Sequence, residues 1–211
     1  MPASHRHPIF ARAYPRISRA AELHGAAEHR RALLAGLEGR VIEVGAGHGL
    51  NFPYYPNTVA HVTAVEPEPH LCKLARGAAG HAPVTVKVHE GTAEALPAKA
   101  GAFDAAVVSL VLCSVSDQAV ALAEISRALR PGGQLRFYEH VISNRPGRAR
   151  VMRALDATIY PPIAGGCHCA RDTGAAIRRA GFHIEHEQRI AFRPSPMVPP
   201  IPHILGAARR G

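Results

Sequence analysis

The chain of 211 residues contains no tryptophan, and only 5% of it is aromatic. A core without large rings must be filled by Ala, Val and Leu. With 47% hydrophobic residues, enough of these are present for one domain with a sizeable core. Long apolar runs are also missing: the longest, AAVVSLVLCSV at 105–115, is too short to span a bilayer and lies mid-chain. The basic N-terminus is followed by no apolar stretch of the kind a secretory signal carries. No disulfide framework is visible, since Cys72, Cys113, Cys167 and Cys169 are the only cysteines in a chain of this length. These absences describe a cytoplasmic protein with no membrane span. Charge is lopsided, with a formal net of +9 and an isoelectric point of about 10. Yet the arginines, from Arg12 and Arg30 to Arg148, Arg178 and Arg209, are dispersed, and no aromatic residues interleave with them as a stacking platform. That pattern argues against nucleic acid as a partner and for a solvated basic surface.

What is present is alternation. Runs of β-formers at 40–44, 61–66, 84–89, 103–110 and 133–141 are separated by helical patterns, among them EPHLCKLARGAA and DQAVALAEISRALR. Ser116 is placed to cap the latter helix, and RPGG at 130–133 ends it. A helical segment over roughly 8–36 precedes the first strand. After the fifth come a helix within 145–160, a turn containing Gly and Cys, a short helix at 171–180 and a strand near 183–192. Pro194, Pro196, Pro199, Pro200 and Pro202 then make an extended segment that cannot enter a sheet interior, and HILGAARR at 203–210 supplies a last strand. Strands alternating with helices predict an α/β fold, a parallel sheet doubly wound by helices on both faces. The whole of 1–211 reads as one domain, with an N-terminal helical lid (1–36), a cofactor-binding core (37–141) and acceptor-side helices and final strands (142–211).

Open α/β sheets bind ligands at the carboxyl ends of their strands. There the first strand runs into VIEVGAGHGLNF (41–52), whose glycines are spaced G-x-G-x-G, with Leu50 where a dinucleotide fingerprint places its last glycine. Pro53 and Pro56 interrupt any helix that follows, so a phosphate-holding helix terminus is poorly supported. His48, inside the bend, reads as a solvent-facing loop residue. The second strand ends at Glu66, whose carboxylate can accept hydrogen bonds from both hydroxyls of a ribose. Glycine backbone that allows close approach, with an acid on the next strand, suits a nucleoside carrying an amino-acid tail.

On these residues the sequence resembles the class I S-adenosylmethionine-dependent methyltransferases. EVGAGHG, VTAVEP, EGTAEALPAKAGAFDAAVVSLVLCSV and EISRALRPGGQLRFYEHV follow one another in the order and spacing of that family's motifs. The resemblance implies a Rossmann-like, mostly parallel seven-stranded sheet with an antiparallel last strand. It also implies S-adenosyl-L-methionine as cofactor and S-adenosyl-L-homocysteine as product. By the same resemblance Glu43, Gly45, Ala46, Gly47, Gly49 and Asn51 surround the methionine part, Glu66 holds the ribose, and Pro67 packs by the adenine. Ala93 offers its backbone to the ring, and Ser109 and Leu110 close over the sulfonium. Thr92 stands where the family usually has an aspartate, so its adenine contact is an uncharged and weaker bond. SLVLCSV, FYEHV, GCHCARDT and PHILGAARR further resemble the methyltransferase-like branch that includes alkyl-thiol methyltransferases of animal membranes, whose hydrophobic N-terminal anchor has no counterpart here. That branch implies a small-molecule acceptor, first a thiol, with an amine or hydroxyl of a secondary metabolite as the alternative. The Asn/Asp-Pro-Pro-Tyr box of adenine- and glutamine-modifying enzymes is replaced by SLVLC.

On the acceptor side, His140 at the end of the fifth strand is the candidate catalytic group. Glu139, also a candidate acceptor contact, points the opposite way by strand alternation, so one of the two faces the pocket. His168 and Arg171, in the Gly/Cys turn, are candidate acceptor contacts, with Tyr14 as a lid over the cofactor and His203 a further contact. Cys113 reads as a small buried hydrophobe. Cys167, His168 and Cys169 do not have the spacing of a structural zinc site, and the expectation is no metal.

Overall fold

The β-branched runs at the centre of the sheet form strands because both of their faces find a hydrophobic layer. A computed structural model describes residues 8–211, and in it seven strands form one sheet: β1 (Gly39–Val44), β2 (Val59–Glu66), β3 (Val86–Glu90), β4 (Phe103–Ser109), β5 (Leu129–His140), β6 (Phe182–Phe192) and β7 (Ile201–Arg210). Their order is β3-β2-β1-β4-β5-β7-β6. β1 to β5 pair in parallel, and β7 is antiparallel to both β5 and β6. The expected doubly wound sheet with a reversed last strand is therefore the fold.

Among the described residues seven α-helices flank the sheet: α1 (Pro8–Ala21), α2 (Ala27–Leu34), α3 (Pro69–Ala79), α4 (Gln118–Ala128), α5 (Pro146–Asp156), α6 (Tyr160–Ile163) and α7 (Thr173–Arg179). On one face Leu122 and Ile125 of α4 and Ile177 of α7 pack with Ile42, Val44, Val108, Leu135 and Phe137. On the other, Leu33 and Leu34 of α2 and Ala75 of α3 pack with Val41, Val62, Ala105 and Val107. Alternate residues of the same strands thus feed two cores, which is why the central strands read as unbroken apolar runs. No helix of the described residues is long and apolar enough to cross a membrane.

Three local expectations need correction. The N-terminal segment is two helices, broken at His24 and Gly25. The cap of α4 is Asp117, which accepts from the Ala119 and Val120 amides. Ser116 instead gives its N–H and hydroxyl to Glu94, because the carboxylate across the loop is the stronger acceptor. RPGG lies inside the fifth strand as a bulge: Phe103 pairs with Leu129 and Ala105 with Gln134, and the residues between loop out where Pro131 has no N–H to give the ladder.

β7 reaches the sheet through a close approach. Gly206 pairs with Phe137 and Glu187, and a Cβ there would strike the His186 carbonyl oxygen and lie 2.6 Å from Phe137 Cζ. Gly206→Ala is expected to destabilise the protein by about 1–3 kcal/mol, read as a lower urea midpoint with an unchanged slope. An unaltered midpoint would show that β7 can shift to make room.

Candidate functional site

At the carboxyl ends of β1, β2, β4 and β5 the chain forms a cavity of about 380 Å³, within the roughly 300–1,000 Å³ of sites that hold drug-sized ligands. Its first wall is the glycine bend. Gly45 adopts φ +70°, and a Cβ on it would lie 2.9 Å from Val111 Cγ1, so only glycine lets the loop after β4 close against the end of β1. The Gly45 and Ala46 amides both donate to the Val65 carbonyl, at 2.8 and 3.1 Å. Gly47, at φ +58°, donates its N–H to Glu66 Oε2 at 2.8 Å. The other oxygen of Glu66 accepts from the Glu68 amide at 2.9 Å. Burial raises the carboxyl's pKa and these two N–H groups oppose the rise. Each oxygen keeps a lone pair for a ligand hydroxyl.

Of the expected cofactor residues, Gly45, Gly47, Glu66, Pro67, Thr92, Ala93, Ser109 and Leu110 line this cavity; Glu43, Ala46, Gly49 and Asn51 do not. Glu43 turns away: its Oε1 accepts from Asn51 Nδ2 at 2.9 Å and its Oε2 from the Tyr55 hydroxyl at 2.7 Å. Asn51 Oδ1 in turn accepts from Arg30 Nη1 at 2.8 Å. The three act from behind the wall, holding the bend and a guanidinium. Leu110 sits at φ 59°, the one non-glycine positive φ among the described residues, a sparsely populated conformation of the kind found at ligand sites. His48 is 6% exposed, not solvent-facing, and its ring meets Tyr14 edge-on at 5.7 Å; the bend folds under α1 instead of opening to water.

Arg30 was missed. It is 7% exposed, lines the cavity, and bonds Glu22 Oε1 at 2.9 Å through Nε. Counting arginines as dispersed surface charge hid it. The available signal was its place on the buried stripe of α2, in step with Ala26 and Leu33.

On the acceptor side, Tyr14, His140 and His203 line the cavity, whereas Glu139, His168 and Arg171 do not. Strand alternation decides between the two residues at the end of β5. Glu139, fully buried, accepts from the Val111 and Cys113 amides at 2.9 and 3.2 Å. Burial pushes its carboxyl up to about 7 against those bonds. Arg171 fixes the same loop from the other side, donating from Nη1 to the Leu112 and Val115 carbonyls at 2.8 and 2.7 Å. His168 gives its amide to the Cys113 carbonyl at 2.7 Å, and its ring bonds Asp156 at 3.0 Å. Glu139, His168 and Arg171 thus fasten the wall where direct acceptor contacts were expected of them. His140 faces inward between His203, with ring centroids 4.4 Å apart, and Cys167, whose Sγ lies 3.2 Å from its Nδ1. Burial, the largest single influence, opposes charge on His140, but the bond to Cys167 together with the negative charges of Cys167 and Glu139 outweighs it and raises its pKa. The Cys167 thiol is lowered by hydrogen bonds from Cys113 and then from His140, while Cys113, as the donor, is raised. The Cys167–His168–Cys169 run does not act as one unit: Cys169 packs against the Met152 carbonyl, 3.7 Å away, and Cys167 joins Cys113 and His140.

This fold is shared with solved methyltransferases. A S-adenosylmethionine-dependent methyltransferase from Thermotoga maritima superposes with a TM-score of 0.68 at 24% identity, over 96% of this chain and 98% of that one. A methyltransferase domain is matched over residues 42–137. Mouse thiol S-methyltransferase TMT1B is 35% identical over 185 residues, 83% of this chain and 73% of its own. Human thiol S-methyltransferase TMT1A is 32% identical over 182 residues, 82% and 72%. The chain belongs to the class I S-adenosylmethionine-dependent methyltransferases, close to the thiol S-methyltransferase branch, and S-adenosylmethionine is its methyl donor. The cavity's chemistry fits that cofactor. It offers a buried carboxylate for a diol, a buried guanidinium for a carboxylate and, at Glu68 Oε2, a buried acceptor with no partner among the described residues.

The Glu43 carboxyl gives a test of the scaffold. Burial raises it to about 7, above its unfolded value, so the folded state binds the extra proton. Stability from this group is full at low pH and is lost as pH rises through about 4.3 to 7. Thermal unfolding at pH 5 and pH 8 should show Glu43→Gln less penalised by the higher pH than the parent, by up to about 3 kcal/mol. Parallel pH profiles of the two proteins would contradict the assignment.

Proposed function

We propose that the protein transfers the methyl group of S-adenosylmethionine to the sulfur of a small apolar thiol. The observation that carries the reading is the kinship to thiol S-methyltransferases across more than four-fifths of the chain. The cavity supports it: beyond the glycine bend its walls are Phe10, Ile17, Val111, Tyr160, Phe192 and Ile201, suited to an alkyl or aryl group. The cofactor supplies an already activated methyl group. The protein's part is to hold the acceptor sulfur at about 3–3.5 Å from the methyl carbon in line with the breaking bond, with water kept out.

In this reading Glu66 takes the ribose hydroxyls, and Pro67, Thr92 and the Ala93 backbone border the adenine. Gly45 and Gly47 admit the methionine part, whose carboxylate meets Arg30, and Ser109 and Leu110 flank the sulfonium. α1, through Tyr14, covers the cofactor as a lid, and His140 and His203 face the acceptor. The dispersed basic residues and the concave, mostly apolar cavity favour a small molecule over nucleic acid. Four buried free cysteines suit a reducing compartment such as the cytoplasm.

An acceptor panel of alkyl thiols, amines and phenols, read as S-adenosylhomocysteine release, is expected to show turnover with thiols. Turnover confined to amines or phenols would replace this reading with N- or O-methylation. Glu66→Ala is expected to weaken S-adenosylhomocysteine binding in calorimetry by about 1.5–3 kcal/mol, roughly ten- to hundredfold. Undiminished affinity would place the ribose elsewhere.

A further inference from the structure

Three residues from three separate segments meet at the acceptor end of the cavity. Cys113 lies on the loop after β4, His140 ends β5, and Cys167 precedes α7. One ligand atom from each lies within 4.8 Å of the other two, and among the described residues no other group of three or more potential metal ligands converges in this way. Cys113 and Cys167 are 1% and 6% exposed, and all three residues line the cavity wall. We infer that Cys113, His140 and Cys167 bind a zinc ion whose fourth position opens into the cavity and takes the acceptor sulfur. The metal half of this inference stands on the geometry alone; the acceptor half rests on the thiol reading above.

The donor set is one that zinc favours. Thiolate and imidazole ligands at about 2.3 and 2.0 Å, tetrahedrally disposed, put donor atoms roughly 3.5–3.8 Å apart. The His140 Nδ1 to Cys167 Sγ separation of 3.2 Å and the 4.8 Å limit on the trio bracket those values, so small side-chain rotations close the site. Three protein ligands with an open fourth position is the pattern of a catalytic zinc, not a structural one. The surroundings hold the ligands in place. Glu139 takes the Cys113 amide, the His168 amide meets the Cys113 carbonyl, and Arg171 pins the loop on either side of Cys113. His140 is fixed by its register with His203.

Such an ion answers a chemical need. A free thiol with a pKa of about 8.5 is mostly protonated at neutral pH, and a coordinated thiol is deprotonated outright. Two cysteine thiolates neutralise the dication, so the site adds no positive charge beside a sulfonium, and the bound acceptor is held as the anion. On binding, the acceptor S–H proton leaves to solvent. The sulfur's lone pair then forms the new bond to the methyl carbon while the methyl–sulfonium bond breaks, that bond's electron pair staying on the cofactor's sulfur. Zinc keeps its oxidation state throughout. The product thioether, now neutral, is a poorer ligand and departs.

The test uses the full chain purified without chelators. Elemental analysis is expected to find one zinc per chain. Chelator-stripped protein given cobalt(II) is expected to develop a thiolate-to-cobalt charge-transfer band and intense tetrahedral visible bands, which shift when an alkyl thiol is added in the absence of cofactor. Cys113→Ser, His140→Ala and Cys167→Ser should each lose the metal while keeping S-adenosylhomocysteine affinity, which verifies their folding; Cys72→Ser and Cys169→Ser should keep both. Substoichiometric zinc with no cobalt band in the parent, or a Cys113–Cys167 disulfide in its place, would overturn the site whatever the acceptor panel shows. A cobalt spectrum indifferent to thiols would overturn the open position. Thiols failing in the panel while the spectrum still shifts would overturn the thiol reading and leave the metal site standing.

Discussion

Everything at this site depends on how closely three strand ends approach one another. Gly45 leaves no room for a side chain between the end of β1 and Val111, and Gly47 is tied by its amide to the carboxylate that ends β2. A backbone bend with its N–H groups already committed cannot drift, so the cavity beyond it is preformed. Because Glu66 is buried and its oxygens are half used by amides, its remaining lone pairs face the one place left to them. Preorganisation of this kind stores the ordering cost in the fold instead of in binding.

A second layer of buried polar groups does for the acceptor end what Glu66 does for the cofactor end. Glu139, Arg171 and the His168 amide all converge on the short stretch from Val111 to Val115. Each satisfies backbone groups that no helix or strand would otherwise pair, as buried polar atoms require. Their effect is to place Cys113. On the opposite side Glu43, Asn51 and Arg30 form a chain of hydrogen bonds that sets a guanidinium into the cavity wall. Charged residues that seemed candidates for touching ligand are in several cases the frame that holds those that do.

The reversed strand also matters. β7 runs antiparallel between two strands that share the other direction, and this puts His203 directly opposite His140. Tyr138 stacks on the His203 ring at 5.0 Å and bonds His29 through its hydroxyl, linking α2 to the acceptor wall. Thiol chemistry at such a wall, which combines apolar side chains with histidine and cysteine, is a consistent use of what the fold assembles.

Sequence alone determined the periodicity and therefore the layers: apolar strands alternating with amphipathic helices admit little besides a doubly wound sheet. The glycine spacing and the acid one strand later were legible for the same reason, being local patterns at strand ends. Their partners were not. Arg30 looked like one of many surface arginines until α2 packed its buried face on the sheet. His168 and Cys169 sit beside Cys167 in the chain, and His168 read as an acceptor contact. The tertiary structure separates them, since a turn sends neighbouring side chains to different sides, and it joins Cys167 to Cys113 and His140, residues remote in sequence. Which groups meet across such distances is set by crossover lengths, strand register and loop anchoring together, and no local pattern encodes that sum.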